Sequence, residues 1–397
     1  METISIFDPF LHIIISCKEG AIAQERESTS QMMKENISLN QLLALIIGFN
    51  LGSSVVLGIG LLGKQAAWIV VLFSSFIGLV IVLAYYFMSS FSPDKNLYEI
   101  MEICIGRPLA VIGSIIYVLY FFYMACRVIR DFIELTSTVI LPITPIEVLT
   151  LALVLIIGYI LYLGVEVLGR TTEIFTPYSI LFIILLAIFL YASKNFSIDK
   201  VTPVLPDGVK PLIKIIFPYE LVRPYGQIIA FTCIFPLVGN FKKGNKVLIF
   251  AIALSSFFLT VSTLFVSLSL GSNIASRAVF PLLSATRLIS IGEFIERIDA
   301  FTVFIIMLGI LVKSSVFIFA GLKGLEYVCH IPYRYFIMPV VCIISLFTVF
   351  IGRGITDHVQ EGFKVVPFLL NLPLQFIVPV ILLAILLGKK ATGKLKN

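Results

Sequence analysis

Charge is what this chain has least of: 13% of its 397 residues are Asp, Glu, Lys or Arg, against roughly 25% in a soluble domain. It has one tryptophan, and its three histidines (His12, His330, His358) are scattered. Its six cysteines (Cys17, Cys104, Cys126, Cys233, Cys329, Cys342) form no CxxC pair. Such spacing matches neither a disulfide framework nor a metal-ligand set, and no metal or cofactor is expected. There is no Walker motif and no nucleophile–base constellation, so catalysis is not indicated. Apolar residues fill the place of charge, at 59% of the chain with a mean hydropathy of +1.06. Too little polar surface is left to cover a water-soluble domain, which excludes a soluble enzyme, a nucleic-acid binder and a disordered chain. The net charge of +6 does not reopen a nucleic-acid partner, because basic residues strewn along a bilayer protein serve as loop and anchor charges. An outer-membrane barrel is excluded by the long unbroken apolar runs, since barrel strands read as ~10-residue alternating segments.

The fold class is therefore an all-α polytopic membrane protein with the lipid bilayer as its solvent. A crossing helix needs ~20 mostly apolar residues. That ruler predicts ten spans, at about 39–62, 66–88, 109–130, 148–165, 175–192, 226–241, 247–271, 301–322, 335–351 and 370–388. Residues 1–35 lack the basic start of a signal peptide and read as a poorly ordered cytoplasmic extension, with Met32 and Met33 as alternative starts. Residues 36–390 read as a single transmembrane domain, followed by a basic tail over 391–397. If the ten spans divide five and five, a first repeat covers about 38–192, a proline-rich outer cap 193–225, and a second repeat about 226–388. The loop bearing Lys242, Lys243 and Lys246, and the tail bearing Lys389, Lys390, Lys394 and Lys396, contain no acid. With ten spans both fall on one side, which places both termini in the cytoplasm.

Residues that violate the apolar pattern carry the functional information. The first span contains Gly48, Asn50, Gly52, Ser53, Ser54, Gly58 and Gly60, a cluster that lowers the cost of leaving the helix at mid-membrane depth. The sixth span is interrupted by Gly226, Pro236 and Gly239 around Phe231, Thr232 and Phe235. Interrupted helices at matching places in two halves point to a substrate site; helix packing through small residues is the alternative reading. In the third span Gly113, Tyr117, Tyr120, Met124, Arg127, Asp131 and Glu134 share one helical face. The tyrosines there would wall a cavity, beneath Arg127 and Asp131 as an i,i+4 pair of outer gate charges. Lys313, followed by Ser314 and Ser315, stands alone near the middle of the eighth span. A mid-bilayer ammonium marks a functional site by default, here an ion-replacing or coupling role. The hydroxyls of the seventh span read as interhelical glue.

Several strings together resemble a known family. They are Ile47-Gly48-Phe49-Asn50-Leu51-Gly52-Ser53-Ser54, Gly164-Val165-Glu166-Val167-Leu168-Gly169-Arg170-Thr171-Thr172-Glu173 and Pro203-Val204-Leu205-Pro206-Asp207-Gly208. Pro224-Tyr225-Gly226 with Phe235-Pro236, and Phe280-Pro281 through Arg287 to Glu296-Arg297-Ile298-Asp299, complete the set. Their order and spacing are similar to the B subunit of the nutrient-germinant receptors of endospore-forming bacteria. That resemblance implies an amino acid–polyamine–organocation (LeuT-like) fold of two inverted five-helix repeats with helices one and six broken. It also implies residence in the spore inner membrane, A and C partner subunits, and a small nutrient germinant such as an amino acid or sugar. Gln227 departs from the family, which carries an acid after the span-six glycine. The nutrient is expected between the broken helices. Gly52, Ser53, Ser54 and Gly58 would lie on one side, Phe231, Thr232 and Phe235 on the other, with Tyr120 and Tyr123 closing from span three. A proton- or sodium-coupled amino acid transporter shares nearly all of these expectations.

Overall fold

The computed structural model describes residues 35–193, 195–205, 208–289, 298–352, 361–362 and 365–393. The expected N-terminal extension through residue 34 lies outside them, as do Pro206-Asp207, Glu296-Arg297, and Lys394 and Lys396 of the basic tail. The described residues contain no β-strand. In chain order the helices are α1 (Leu39–Leu57), α2 (Ala67–Ser90), α3 (Leu97–Ile105), α4 (Arg107–Leu135), α5 (Ile146–Leu163) and α6 (Val165–Ala192). After a broken stretch follow α7 (Gly244–Leu270), α8 (Pro281–Thr286), α9 (Asp299–Cys329), α10 (Ile337–Phe350) and α11 (Val378–Ala391).

Among the described residues, eight helical stretches are long and apolar enough to cross a membrane. The other two expected spans differ in kind. α1 is shorter, and the sixth span is a run of 3-10 turns, Gly226–Cys233 and Phe235–Leu237. Pro236 accounts for part of that irregularity, since it donates no amide and its ring disfavours an α-helical predecessor. The fifth expected span begins about ten residues early, at Val165. Its extra turns stay helical because Glu166 and Arg170 form an i,i+4 ion pair at 2.6 Å on the exposed face. The proline-rich cap also differs from expectation. Its final stretch, Ile216–Tyr225, turns inward and buries Glu220, Leu221, Val222 and Tyr225.

α1 corrects the expected mid-span break. Ser38 and Gln41 open it with a capping box, Gln41 N–H to Ser38 Oγ at 3.1 Å and Ser38 N–H to Gln41 Oε1 at 2.9 Å. The helix then runs unbroken past Gly48, Gly52, Ser53 and Ser54, and stops only at Gly58 (φ 70°) and Gly60 (φ 76°). Both of these glycines hold left-handed backbone that a side chain would strain. Gly52 serves another purpose. It meets Gly309 of α9 so closely that a methyl on either would run into the other's backbone. In lipid there is no hydrophobic gain from bringing two helices together, so close approach through small residues holds them by packing.

α9 is the central helix. It packs along α1, α4 and α6 and buries residues on all sides from Thr302 to Gly324, the pattern of a core helix. The outer helices instead present large apolar side chains such as Phe73, Phe76, Leu119 and Phe350, which are exposed to lipid. The hydroxyls of α7 tie neighbours together as expected: Asn50 Nδ2 donates to Ser255 at 3.0 Å, and Ser256 lies 3.0 Å from the Tyr225 hydroxyl.

Gly309→Val is expected to push α1 off α9 at a cost of about 1–3 kcal/mol or more, read as a lowered thermal midpoint in detergent. Gly388→Ala, where nothing lies within 4 Å of the added carbon, should change the midpoint little. Equal midpoints for the two variants would contradict the close-approach role.

Candidate functional site

The residues expected around one mid-membrane pocket fall into three settings. The first is packed core. Lys313 is 2% exposed; its ammonium donates to Ser53 Oγ at 3.2 Å and sits 5.1 Å from the centre of the Phe49 ring, a cation–π arrangement strongest where water is excluded. Phe49 in turn meets Phe231 and Phe317 edge-on, each at 5.3 Å. Phe231 continues to Phe235 at 6.5 Å, and Phe235 to Tyr86 at 6.0 Å. Thr232 spends its hydroxyl on Ile229 O at 2.6 Å, and Ser314 on Ile310 O at 2.6 Å. Ser54 is buried, and the buried Ser315 hydroxyl has no hydrogen-bond partner among the described residues. Ser53 and Ser54 therefore do not offer freed backbone, because their segment remains helical.

The second setting is the tenth span. Tyr120 donates to Asn371 Oδ1 at 3.0 Å and accepts from Gln375 Nε2 at 2.6 Å. Tyr117 donates to Leu374 O and Tyr85 to Gln375 O, each at 2.6 Å. These carbonyls belong to Pro367–Ile377, a widened stretch with Pro373 inside it. Tyr117 thus serves the backbone of this stretch and Tyr120 its Asn371 and Gln375 side chains, where the sequence suggested a cavity wall. Tyr85, Asn371 and Gln375 were not singled out by sequence; Pro367 and Pro373 inside an apolar span were the available signal.

The third setting is a charged cavity of about 170 Å³ beyond the end of α1, lined by Gly58, Arg127, Asp131, Glu220, Arg223 and Arg277 among others. Arg127 and Asp131, the expected gate charges, both line this cavity. Arg127 also pairs with Glu361 at 3.4 Å, and Tyr123 donates to Glu361 Oε1 at 2.8 Å. Glu220 is 6% exposed and lines this cavity with Gly58 of the α1 break. Arg223 lies in the field of Arg127, Asp131 and Glu220. Sequence reasoning missed Glu220 and Arg223 because they sit in the proline-rich stretch read as surface. Gly52, by contrast, lines a separate apolar cleft of about 50 Å³ with Thr172, Thr176 and Gly309.

A larger cavity of about 650 Å³ lies at the other end of α1. Asp94, Glu99, Glu102, Lys323 and Glu326 line it, and it reaches Cys233 and Pro236 of the broken span. Ile37 N–H bonds Leu237 O at 2.8 Å there, so the whole length of α1, roughly 28 Å at 1.5 Å per residue, separates the two cavities. Between them lie the aromatic layer and Lys313.

The described residues thus form an all-helical body with a broken sixth span and a cavity at each end of α1. The solved structure of MhsT in complex with L-phenylalanine superposes with a TM-score of 0.59 at 14% identity, covering 88% of this chain and 98% of that one. The chain belongs to the spore germination protein (spore permease) family, whose model matches residues 36–353. It is 29% identical to spore germination protein KB of Bacillus subtilis across 90% of this chain and 96% of that protein. It is 31% identical to the putative spore germination protein YfkT of the same organism, across 66% and 71%.

Ser53→Ala is expected to leave the buried Lys313 ammonium without its acceptor and to cost about 1–3 kcal/mol. Adding Lys313→Met should restore the thermal midpoint, because an apolar side chain of similar volume replaces the buried charge. Failure of the double variant to recover would show that Ser53 acts through something other than Lys313.

Proposed function

We propose that this chain is the membrane subunit through which a spore senses a nutrient germinant. The nutrient, a small amino acid or sugar, binds from the outer side, where the end of α1, the Ile216–Tyr225 stretch and α4 converge. The subunit resides in the spore inner membrane with both termini cytoplasmic, and acts with A and C partner subunits. The observation that carries this reading is the charged cavity bounded by the end of α1, the Ile216–Tyr225 stretch and α4, in a chain of the germination family. The amino acid held by the similarly folded MhsT supports a ligand of that size.

Binding changes the protein only through different affinity for two conformations. The movable part is the helix body containing the α1 break, hinged where Gly58 and Gly60 leave the helix. Lys313, with Ser314 and Ser315, stands in the place of a coupling ion and fixes the α1–α9 contact that such a movement must disturb. A second reading, a proton- or sodium-coupled amino acid transporter, is supported by the transporter fold and by the inner cavity that reaches Pro236.

Proteoliposomes carrying the full chain separate the two. A sensing subunit should bind labelled nutrient saturably without accumulating it under a proton or sodium gradient. Accumulation abolished by dissipating the gradient would favour the transporter.

A further inference from the structure

The apolar cleft beside Gly52 has no part in the roles described so far. α1, α6 and α9 enclose about 50 Å³ there, between Leu51, Gly52, Thr172, Thr176, Leu308 and Gly309. A water needs about 10–15 Å³ of such space, so the cleft takes roughly three or four groups of methylene size. Water itself is poorly suited to it. Thr172 and Thr176 donate to Leu168 O and Thr172 O of their own helix, each at 2.7 Å, and Ser179 to Phe175 O at 3.3 Å. A buried water makes two to four hydrogen bonds, and the deep hydroxyls of this cleft are already engaged. They leave a polar ligand nothing to hold.

The cleft is continuous with the surface that meets lipid. Thr171, Phe175 and Leu311 at its edge are partly exposed, and Ile174 and Tyr178 beside them on α6 are 61% and 52% exposed. Both α6 and α9 are long and apolar enough to cross the membrane, so the mouth opens onto hydrocarbon. We propose that the cleft is a lipid site, which takes the methyl end of one phospholipid acyl chain from the bilayer. The gain is not hydrophobic, since the chain passes from one apolar medium to another. It is dispersion, because cleft walls with no atoms against them lose those contacts outright. A partner helix, about 10 Å across with its side chains, is too wide to enter. The seated chain end bears on Gly52 and Gly309, whose backbones meet at the α1–α9 crossing. Lipid thus packs the flank of that crossing which the protein's own side chains leave open.

The test uses the full chain in nanodiscs of phosphatidylcholine, a fraction of which carries a diazirine at the methyl end of one acyl chain. After illumination, adducts are mapped by peptide mass spectrometry. Ile174 and Tyr178 are labelled by bulk lipid and serve as the reference. Leu51 and Leu308, 2% and 9% exposed, should be labelled by a chain end inside the cleft. In Ser179→Leu, which fills the cleft, their adducts should fall on the order of tenfold against the reference, as space taken by the protein no longer admits a ligand. In Leu308→Ala, which widens the cleft, adducts at Leu51 should rise severalfold. Adducts confined to Ile174 and Tyr178 overturn the lipid site. Leu51 and Leu308 adducts that persist undiminished in Ser179→Leu overturn it as well. If that variant does not fold, an unchanged Leu51 yield in Leu308→Ala overturns it alone. None of these outcomes touches the nutrient-sensing reading, whose cavity lies beyond the end of α1.

Discussion

Where a helix stops inside a bilayer, the amide and carbonyl groups it frees have no water to turn to, and each must find a partner within the protein. Much of the polar chemistry of this chain answers that constraint. Tyr85 reaches Gln375 O and Gly226 O, so one hydroxyl serves both the tenth span and the broken sixth. Tyr117 covers Leu374 O one residue away. Tyr225, in the inward-turning stretch, is fixed by Ser75 at 2.6 Å and Ser256 at 3.0 Å. The prolines and glycines that break the helices and the tyrosines that repair them form one device. Removing either half would leave the other stranded in an apolar medium.

The same constraint explains why the charges lie where they do. Arg127, Asp131, Glu220 and Arg223 gather around a cavity where irregular backbone already lines polar space. Lys313 is the exception, a cation in the core with one hydroxyl and an aromatic face for company. Its surroundings suit a positive charge held for its effect on neighbours. Ser53 binds it from α1, Phe49 lies beneath it, and both lie within one helical turn of the Gly52–Gly309 contact. The ammonium therefore adds a polar tie to the close Gly52–Gly309 crossing, and the charges of Arg223 and Asp131 act on it from the cavity beyond the end of α1.

How much of this was legible in the sequence follows from the physics of each signal. Apolar run length marked the spans well, because membrane thickness sets it almost independently of tertiary packing. The Lys313 anomaly was legible for the same reason, since a charge in an apolar run has no loop to explain it. The disruption of span six could be read from Pro236, whose effect on a helix is local. Glycine is ambiguous. Gly58 and Gly60 end α1 through left-handed backbone, whereas Gly48 and Gly52 stay helical and Gly52 admits another helix; only the partner, Gly309, decides between these uses. Tyr120 was misread because a tyrosine stripe has the same spacing whether it faces a ligand or a broken neighbour 251 residues away. Glu220 was hidden by its prolines, which signal a turn without telling which side of the turn is buried.

These placements bear differently on the proposed sensing role and on the transporter alternative. Transport requires the two cavities to exchange access across the middle, so the layer of Phe49, Phe231 and Phe317 around Lys313 must open. Sensing requires less. Occupancy of the outer cavity need only alter the end of α1, and α1 carries the change along its rigid length to the Gly309 contact and to Ile37 at the inner cavity. A continuous helix between its cap at Ser38 and its break at Gly58 is better suited to that task than one broken at mid-membrane, because a mid-span break would absorb the displacement. The unbroken α1 therefore suits the proposed receptor role, which leaves the aromatic layer closed, better than it suits the transporter alternative.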